Sequence, residues 1–323
     1  MLIDRGCAYA LLLLALAIAT GFGGGHALAA DDDDAAPGTY YWIGDHRMHL
    51  VCQGSGTPSV ILEAGLGGTS LDWVYILPGV AQFTRVCSYD RAGYGWSDAS
   101  PSPRTSEVIA AELDELLETA HVRKPYLMVG HSFGGLITRL FAAQHPEKII
   151  GIVLIDATHE AQDQRFAKGQ VNTQITPRPE RNFVIANYYQ VPDALPEPAR
   201  RIAQTLAIRP NAVATLYGEL RSMHLSLEKM QAWNPRIPDV PLLVMAHDAR
   251  ASATTATARR MADIWMEMQQ DLVSRTHHGH FTVIENSGHH IQLDRPDKVL
   301  EGIRSIFQQT HEPTRDESWY GAG

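Results

Sequence analysis

Residues 127–135 read Leu-Met-Val-Gly-His-Ser-Phe-Gly-Gly, and the rest of the chain is best interpreted outward from this stretch. It contains the pattern G-x-S-x-G, with Ser132 at its centre. An apolar run, 126–129, precedes the pattern, and a helix-like segment, 136–143, follows it. A strand that turns sharply into a helix can pack closely only if glycines stand two residues either side of the serine. The pattern therefore predicts a strained turn that exposes the Ser132 hydroxyl.

Two backbone amides are candidate donors to an oxyanion. The Phe133 amide opens the predicted helix, where the positive end of the helix dipole favours negative charge. A second glycine-rich turn, 64–68, follows a predicted strand, and there the Leu66 amide is the candidate donor. The same turn would also serve simply to reverse the chain, but its place at the end of a strand favours the functional interpretation.

Strand-like and helix-like segments alternate on both sides of Ser132. The predicted strands are 40–43, 48–53, 59–63, 84–89, 126–129, 149–155, 241–246 and 281–285. Helical periods lie between most of them, and Asp294 is the expected N-cap of the last helix. Such alternation predicts a mostly parallel α/β sheet with right-handed crossovers. Ligands of such sheets bind beyond the carboxyl ends of the strands, where Ser132, Leu66 and Asp156 fall.

Residues 158–238 interrupt the alternation, because they are rich in proline, contain helix-like pieces and offer no convincing strand. We interpret them as a helical insertion that covers the site. Aromatic and apolar side chains of this insertion are candidate pocket residues: Phe183, Tyr188, Tyr189, Leu216 and Tyr217. The alternative is that they form only the small core of the insertion itself.

The predicted organisation follows from these segments. The α/β core comprises 40–157 and 239–310, and the helical cap comprises 158–238. The remaining segments are an N-terminal signal peptide (1–30), an acidic linker (31–39) and a flexible C-terminal tail (311–323).

The first residues have the features of a secretory signal. Arg5 supplies a positive charge, 8–19 is an apolar run, and Ala27-Leu28-Ala29 matches a small-residue cleavage site. The run is shorter than the roughly 20 residues that a membrane span needs. We expect the mature chain to begin near Ala30 or Asp31 and to be periplasmic or secreted, without stable membrane insertion. An uncleaved membrane anchor is the alternative.

Composition excludes some functions. A formal net charge of −9 makes nucleic-acid binding unexpected, and 323 residues with 45% hydrophobic content suffice for one large core. Once the signal leaves with Cys7, Cys52 and Cys87 remain as an even pair in an exported chain. They are interpreted either as a disulfide or as two buried thiols.

Three segments taken together resemble the α/β-hydrolase superfamily: 130–134, 90–97 and 287–289. The resemblance covers about 40–309, and segments 62–67 and 89–91 are similar to lipase/esterase-like members with a helical cap. It implies the α/β-hydrolase fold, a mostly parallel sheet flanked by helices with a helical cap insertion. Many members have His-Gly before the oxyanion turn, but this chain has Glu63-Ala64-Gly65, which leaves Glu63 without a role.

The resemblance and the chemistry of serine together assign a base. A serine nucleophile at neutral pH requires a histidine, and the histidine requires an acid that fixes its tautomer. His289 follows the last predicted strand and a small Ser287-Gly288 pair, so it is the predicted base. The neighbouring His131 and His290 are expected to point elsewhere.

No metal site or cofactor is expected. The histidines at 277, 278 and 280 lack a suitably spaced carboxylate, so they do not indicate a metal. The chain also lacks a phosphate-binding glycine loop and a dinucleotide fingerprint.

The triad acid has two candidates, Asp156 and Asp248. The commonest pattern of the family places the acid in the loop after strand 241–246, but Asp248 comes early in that loop. Asp156 follows Ser132 by 156 − 132 = 24 residues, enough for one helix and one adjacent parallel strand. A minority of lipases in the superfamily carry their acid there. Asp156 is therefore the predicted acid and Asp248 the alternative, in which case Asp156 only caps the strand end.

The serine also restricts the reaction. Haloalkane dehalogenases and epoxide hydrolases of this fold have aspartate at the nucleophile elbow, the sharp turn that carries Ser132 here. Serine at this position therefore indicates acyl transfer. A small-molecule carboxylic ester is the predicted substrate, and amides, lactones or a carbon–carbon bond beside a carbonyl are alternatives. A ligand-binding homologue without turnover is a further alternative, which the presence of both Ser132 and His289 disfavours. The sequence does not indicate the oligomeric state.

Overall fold

One mostly parallel sheet organises the fold. The computed structural model describes residues 36–170, 191–234 and 236–311, and within them the sheet has eight strands. They are β1 (Thr39–Ile43), β2 (His46–Gln53), β3 (Ser59–Glu63), β4 (Val86–Tyr89), β5 (Tyr126–His131), β6 (Ile149–Ile155), β7 (Leu242–His247) and β8 (Gly279–Ile284).

The strand order is β1-β2-β4-β3-β5-β6-β7-β8. The pairs β1–β2 and β2–β4 are antiparallel, and every later pair is parallel. This is the predicted α/β architecture, so the fold class is confirmed. The parallel strands β3, β5 and β6 end at the same edge, which brings the segments after Glu63, His131 and Ile155 together.

Helices cover both faces of the sheet. In the described residues they are α1 (Leu77–Val80), α2 (Ser106–Thr119), α3 (Phe133–Gln144), α4 (Gln162–Lys168), α5 (Ala199–Ala207), α6 (Pro210–Trp233), α7 (Ala256–Val273), α8 (Ile291–Asp294) and α9 (Pro296–Gln309).

The two faces of the sheet belong to different hydrophobic clusters, because successive side chains of a strand point to opposite sides. In β3, Val60 packs with the α1 and α9 side, whereas Ile61 packs with the α2 and α3 side. Every residue of β3 is buried, as expected for a strand that is covered on both faces.

The longest helix between β6 and β7 is α6. It has Pro210 in its first turn and is followed by Asn234 in the left-handed region (φ 43°). Leu216 packs with Tyr94, and Tyr217 lies against the same small cluster. Of the other predicted pocket residues, Phe183, Tyr188 and Tyr189 lie outside the described residues.

The predicted N-cap of the last helix is wrong. Asp294 ends the short helix α8, and Arg295 precedes α9 without a side-chain cap. A residue before proline is disfavoured in the helical region. Arg295 is therefore non-helical and separates the two helices. The Asp294 carboxylate instead accepts a hydrogen bond from the Gly288 amide at 2.7 Å.

Cys52 and Cys87 face each other on the antiparallel pair β2–β4 and form a disulfide. Of the two interpretations of the cysteine pair, the structure therefore has the cross-link. Among the described helices, none combines the length and the apolar character that crossing a membrane requires. The predicted signal segment 1–30 lies outside the described residues, as do residues 312–323.

Candidate active site

Ser132 occupies a sharp turn between β5 and α3. Its backbone lies at φ 52° and ψ −121°, a strained conformation for a residue with a side chain. A Cβ atom on Gly130 would come within 2.6 Å of the Gly134 oxygen, and one on Gly134 within 2.4 Å of the Glu63 oxygen. Both glycines are therefore required by close backbone packing, as the sequence pattern predicts.

The two predicted oxyanion donors lie on segments that meet at this turn. Phe133 is the first residue of α3, so its amide has no acceptor within the helix. The turn after β3 passes directly beside the serine, since a Cβ atom on Gly65 would lie 3.3 Å from the Ser132 Cβ. Leu66 follows in that turn and lines the same cavity as Ser132.

Arg91 is hydrogen-bonded to the turn after β3. Its guanidinium donates to the carbonyl oxygens of Ala64 and Gly65, both at 2.7 Å. It also pairs with Glu63 at 2.8 Å and with Glu219 of α6 at 2.8 Å, and all of these side chains are buried. Glu63 therefore has a structural role that the sequence pattern does not indicate.

Electrostatics agree with this role. Burial raises the pKa of Glu63 to about 6, although the positive charge of Arg91 works against that rise. The Tyr89 hydroxyl donates a further hydrogen bond to the Glu63 carboxylate. The partners of Glu63 come from another part of the chain, since Arg91 is 28 and Tyr89 is 26 residues away in sequence.

His289 and Asp156 form a direct contact. The Nδ1 atom of His289 lies 2.5 Å from Oδ2 of Asp156, and the Asp156 side chain is completely buried. Asp156 sits just after β6 at φ 46°, in the left-handed region that few residues other than glycine adopt. The structure thus brings the predicted acid to the predicted base across 133 residues of sequence.

A second histidine shares the same carboxylate. The Nδ1 atom of His247 lies 2.7 Å from Oδ2 of Asp156, and the indole of Trp265 donates to Oδ1 at 2.8 Å. The sequence analysis missed both residues. His247 ends β7, next to the place where the family usually has its acid, and this position is the signal that would have drawn attention to it.

These donors determine the charge of Asp156. Burial opposes its ionisation, but the hydrogen bonds from His247 and His289 outweigh burial and lower the pKa of Asp156 below its ordinary value. Burial also acts on His247, yet the hydrogen bond and the negative charge of Asp156 raise the pKa of His247. Asp156 is therefore a stable carboxylate throughout the neutral range.

Asp248 points into its own loop. Its carboxylate accepts hydrogen bonds from the amides of Arg250 and Ala251, at 3.2 and 3.3 Å. The structure therefore places Asp156 rather than Asp248 on His289. The catalytic roles of Ser132, His289 and Asp156 remain predictions about activity.

Two further histidines lie beside His289, although the sequence interpretation directs them elsewhere. The His131 and His290 rings lie 4.7 and 5.5 Å from that of His289, measured between ring centroids. Nε2 of His131 donates to the His289 carbonyl oxygen at 2.9 Å, which fixes the backbone of the predicted base. Burial lowers the pKa of His131 well below its ordinary value and that of His290 to about 4, so both rings are neutral at pH 7.

A cavity of about 380 Å³ contains both Ser132 and His289. The turn after β3 and the histidines form its polar wall, together with Asp72. Its apolar wall comes from the segment between β6 and β7 and consists of Val191, Pro192, Leu195, Ala203 and Ala207. Leu216 and Tyr217 are not among the described lining residues, and they pack with Tyr94 and Leu66 of the α/β core rather than only within the insertion.

Asp156, His247 and His289 also form a group of potential metal ligands, with donor atoms within 4.8 Å of one another. The contacts of 2.5 and 2.7 Å are hydrogen-bond distances. A tetrahedral metal holds its ligand atoms about 3.3 Å apart, so the three side chains would have to separate to admit one. Their present arrangement is a hydrogen-bond network.

Comparison with known proteins agrees with the observed fold, and the matching segment includes the turn at Ser132. A family model described as the alpha/beta hydrolase fold matches residues 58–190, which include the turn after β3, Ser132 and Asp156. The chain has the α/β-hydrolase fold. It is 26% identical to the Bacillus subtilis protein YqjL over 81% of its own length and 87% of that protein. It is 24% identical to an AB hydrolase superfamily protein of Gibberella zeae, over 78% and 86% of the respective chains.

Solved structures resemble this chain in fold. An epoxide hydrolase of Vigna radiata superposes with a TM-score of 0.65 and 14% identity, covering 84% of this chain and 97% of that one. An esterase of Thermogutta terrifontis superposes with a TM-score of 0.59 and 18% identity, covering 83% and 95%. At these identities the comparison concerns the fold alone.

Proposed function

We propose that this protein is an exported serine hydrolase that cleaves a carboxylic ester through an acyl-enzyme. The observation that carries the proposal is the geometry of one cavity. Ser132 and His289 both line it, and Asp156 holds the other ring nitrogen of His289 at 2.5 Å. A binding module without turnover would not require a buried carboxylate fixed on that nitrogen.

The proposed reaction follows from these positions. The Ser132 hydroxyl attacks the ester carbonyl, and its proton passes to Nε2 of His289. Asp156 holds Nδ1–H and stabilises the imidazolium that forms. The carbonyl oxygen becomes negative and accepts hydrogen bonds from the Leu66 and Phe133 amides. His289 then gives its proton to the departing alcohol, and water hydrolyses the acyl-enzyme by the same route.

The structural neighbours leave the reaction open. One structural neighbour is an esterase, whereas others are epoxide hydrolases. The resemblance associates aspartate at the elbow with epoxide hydrolases, and this chain has serine there. Ester hydrolysis is therefore the proposed reaction, with amides, lactones and carbon–carbon bonds as alternatives within the same mechanism.

The test uses a panel of p-nitrophenyl esters of rising acyl length and a fluorophosphonate probe. We expect Ser132→Ala to lower kcat by about 10⁴-fold or more and to abolish labelling, while thermal melting shows a folded protein. Ser102→Ala, on an exposed loop, is the matched control and should retain both. Labelling of another serine, with activity surviving in Ser132→Ala, would contradict the proposal.

Export is proposed from the N-terminal pattern, and a disulfide between Cys52 and Cys87 suits an oxidising compartment. We expect N-terminal sequencing of periplasmic or secreted protein to find a mature start near Ala30 or Asp31. Recovery of a chain that still begins at Met1 from the membrane fraction would favour an anchor instead.

A further inference from the structure

Asp72 is a charged side chain of the cavity that the proposed reaction does not use. It lies on the short turn Ser70–Trp73, directly after the glycine-rich turn that carries Leu66. It is only 7% exposed, yet it lines the same cavity as Ser132 and His289. Its carboxylate rests against the glycine-rich turn, since a Cβ atom on Gly68 would lie 2.4 Å from Oδ2 of Asp72.

This carboxylate lacks a positive partner among the described residues. Its hydrogen bond comes from the Thr69 backbone amide. The nearby Arg91 is committed to Glu63 and Glu219, each at 2.8 Å, and Asp90 adds a second negative charge close by. Burial, reinforced by Asp90, raises the pKa of Asp72 to about 7. Buried carboxylates in proteins are normally paired with a cation or fully hydrogen-bonded.

Among the described residues, the rest of the cavity wall supplies no compensating charge. Its apolar wall is aliphatic, and the His131 and His290 rings are neutral at pH 7 because burial lowers the pKa of each. The Nδ1 atom of His289 is engaged with Asp156. We therefore expect the counter-charge of Asp72 to come from a ligand that enters the cavity.

We propose that Asp72 forms an anionic subsite that binds the cationic group of the substrate, a quaternary ammonium or protonated amine. This inference rests on the proposed ester hydrolysis and names its substrate class. Bound cations favour the ionised form of Asp72, whereas a neutral ester leaves the carboxylate unpaired. An ionised and unpaired Asp72 beside the glycine-rich turn also repels the negative charge of the oxyanion. A neutral ester therefore leaves Asp72 without a counter-charge and forms a less stable oxyanion.

The experiment compares esters that differ only by a positive charge. On the acyl side, 4-nitrophenyl 4-(trimethylammonio)butanoate is paired with 4-nitrophenyl 5,5-dimethylhexanoate, in which carbon replaces nitrogen. On the alcohol side, 2-(trimethylammonio)ethyl thioacetate is paired with 3,3-dimethylbutyl thioacetate. The measured quantity is the ratio of kcat/KM, cationic over neutral, within each pair.

We expect the wild type to prefer the cationic member of at least one pair by tenfold or more, and Asp72→Asn to bring that ratio close to one. Asp193→Asn is the matched control, because Asp193 is fully exposed beside Val191 and Pro192 of the cavity wall. It removes the same charge from the protein and should keep the preference. A wild-type ratio near one in both pairs, or a preference that survives Asp72→Asn, would overturn the inference.

A pH series provides a test that needs no variant. The preference should grow as pH rises from 5.5 to 8.5, because Asp72 becomes ionised, and it should be independent of pH in Asp72→Asn. A group that acts equally on both members of a pair cancels in the ratio, and Arg91 keeps its charge over this range because Glu219 and Glu63 raise its pKa despite burial. A wild-type ratio that is constant with pH would contradict the role of Asp72.

Failure of the inference can be separated from failure of the proposed function. If the wild type hydrolyses the neutral esters without preference, ester hydrolysis stands and the anionic subsite does not. If it hydrolyses none of the four, calorimetric titration of Ser132→Ala with the cationic thioester still tests the subsite. Binding should then be lost, by tenfold or more, in Ser132→Ala/Asp72→Asn, and equal binding to both proteins would refute the subsite.

Discussion

At the scale of single residues, Asp156 joins three side chains that come from three different parts of the chain. His289, His247 and Trp265 all direct a nitrogen at its two oxygens, within 2.8 Å. Each contact favours the ionised carboxylate, which is why its pKa lies below the ordinary value despite complete burial. The two imidazoles share one oxygen, so His247 also limits the positions that the carboxylate can adopt under His289.

We predict that Asp156→Asn lowers kcat by about 10⁴-fold, because an amide cannot hold His289 in the required tautomer. Asp248→Asn is the matched control and should cost less than about tenfold, since Asp248 hydrogen-bonds only within its own loop. Steady-state kinetics with the best ester of the panel, on variants shown to be folded by thermal melting, provide the comparison. The reverse ranking would move the acid to Asp248.

At the scale of elements, the buried Arg91 connects the turn after β3 with helix α6. Its hydrogen bonds to the Ala64 and Gly65 carbonyls stabilise the turn, and its ion pair with Glu219 anchors helix α6. The Tyr94 hydroxyl donates to the same Glu219 at 2.9 Å. The position of α6 and the geometry of the oxyanion turn are therefore coupled through one side chain.

We predict that Arg91→Met lowers the free energy of unfolding by about 3–5 kcal/mol, because it leaves Glu63 and Glu219 buried without a counter-charge. Arg47→Met is the matched control: Arg47 pairs with Asp98, and the two side chains are 45% and 38% exposed. A pair this exposed contributes little to stability, because water screens its charges. Urea denaturation measures both variants, and equal losses would show that the buried cluster contributes little.

At the scale of the whole molecule, the disulfide ties the antiparallel edge of the sheet to its parallel part. Cys52 and Cys87 are separated by 35 residues and link β2 to β4, so the closed loop contains β3 and α1. Closing a loop of this length reduces the conformational freedom of the unfolded chain. The cross-link is thus placed where it stabilises the segment that carries the glycine-rich turn.

We predict that reduction of this disulfide destabilises the mature protein by about 3–4 kcal/mol, which a lower melting temperature in dithiothreitol would reveal. Cys52→Ala/Cys87→Ala should melt at that lower temperature with or without reductant. Alkylation before reduction should modify neither cysteine. Two alkylated cysteines in the untreated mature protein would show that the bond is absent.

The sequence by itself determined what short-range sterics and periodicity control. Gly130 and Gly134 mark the turn at Ser132 because any side chain there would collide with backbone, and the pattern itself spans only five residues. Apolar periodicity likewise gave the strands and most helices, since burial on one or both faces is written into neighbouring positions. The order of these elements was enough to predict a parallel sheet and the edge at which Ser132, Leu66 and Asp156 meet.

Only the tertiary structure decided which distant polar side chains share a partner. No local pattern indicates that Arg91 pairs with both Glu63 and Glu219, or that His247 joins His289 on Asp156, because these contacts span 28 to 133 residues. Asp294 had the sequence of an N-cap but became the hydrogen-bond partner of Gly288, since the proline after Arg295 moved the helix start. Polar contacts depend on packing that brings the elements together, whereas the hydrophobic pattern is carried by each element alone.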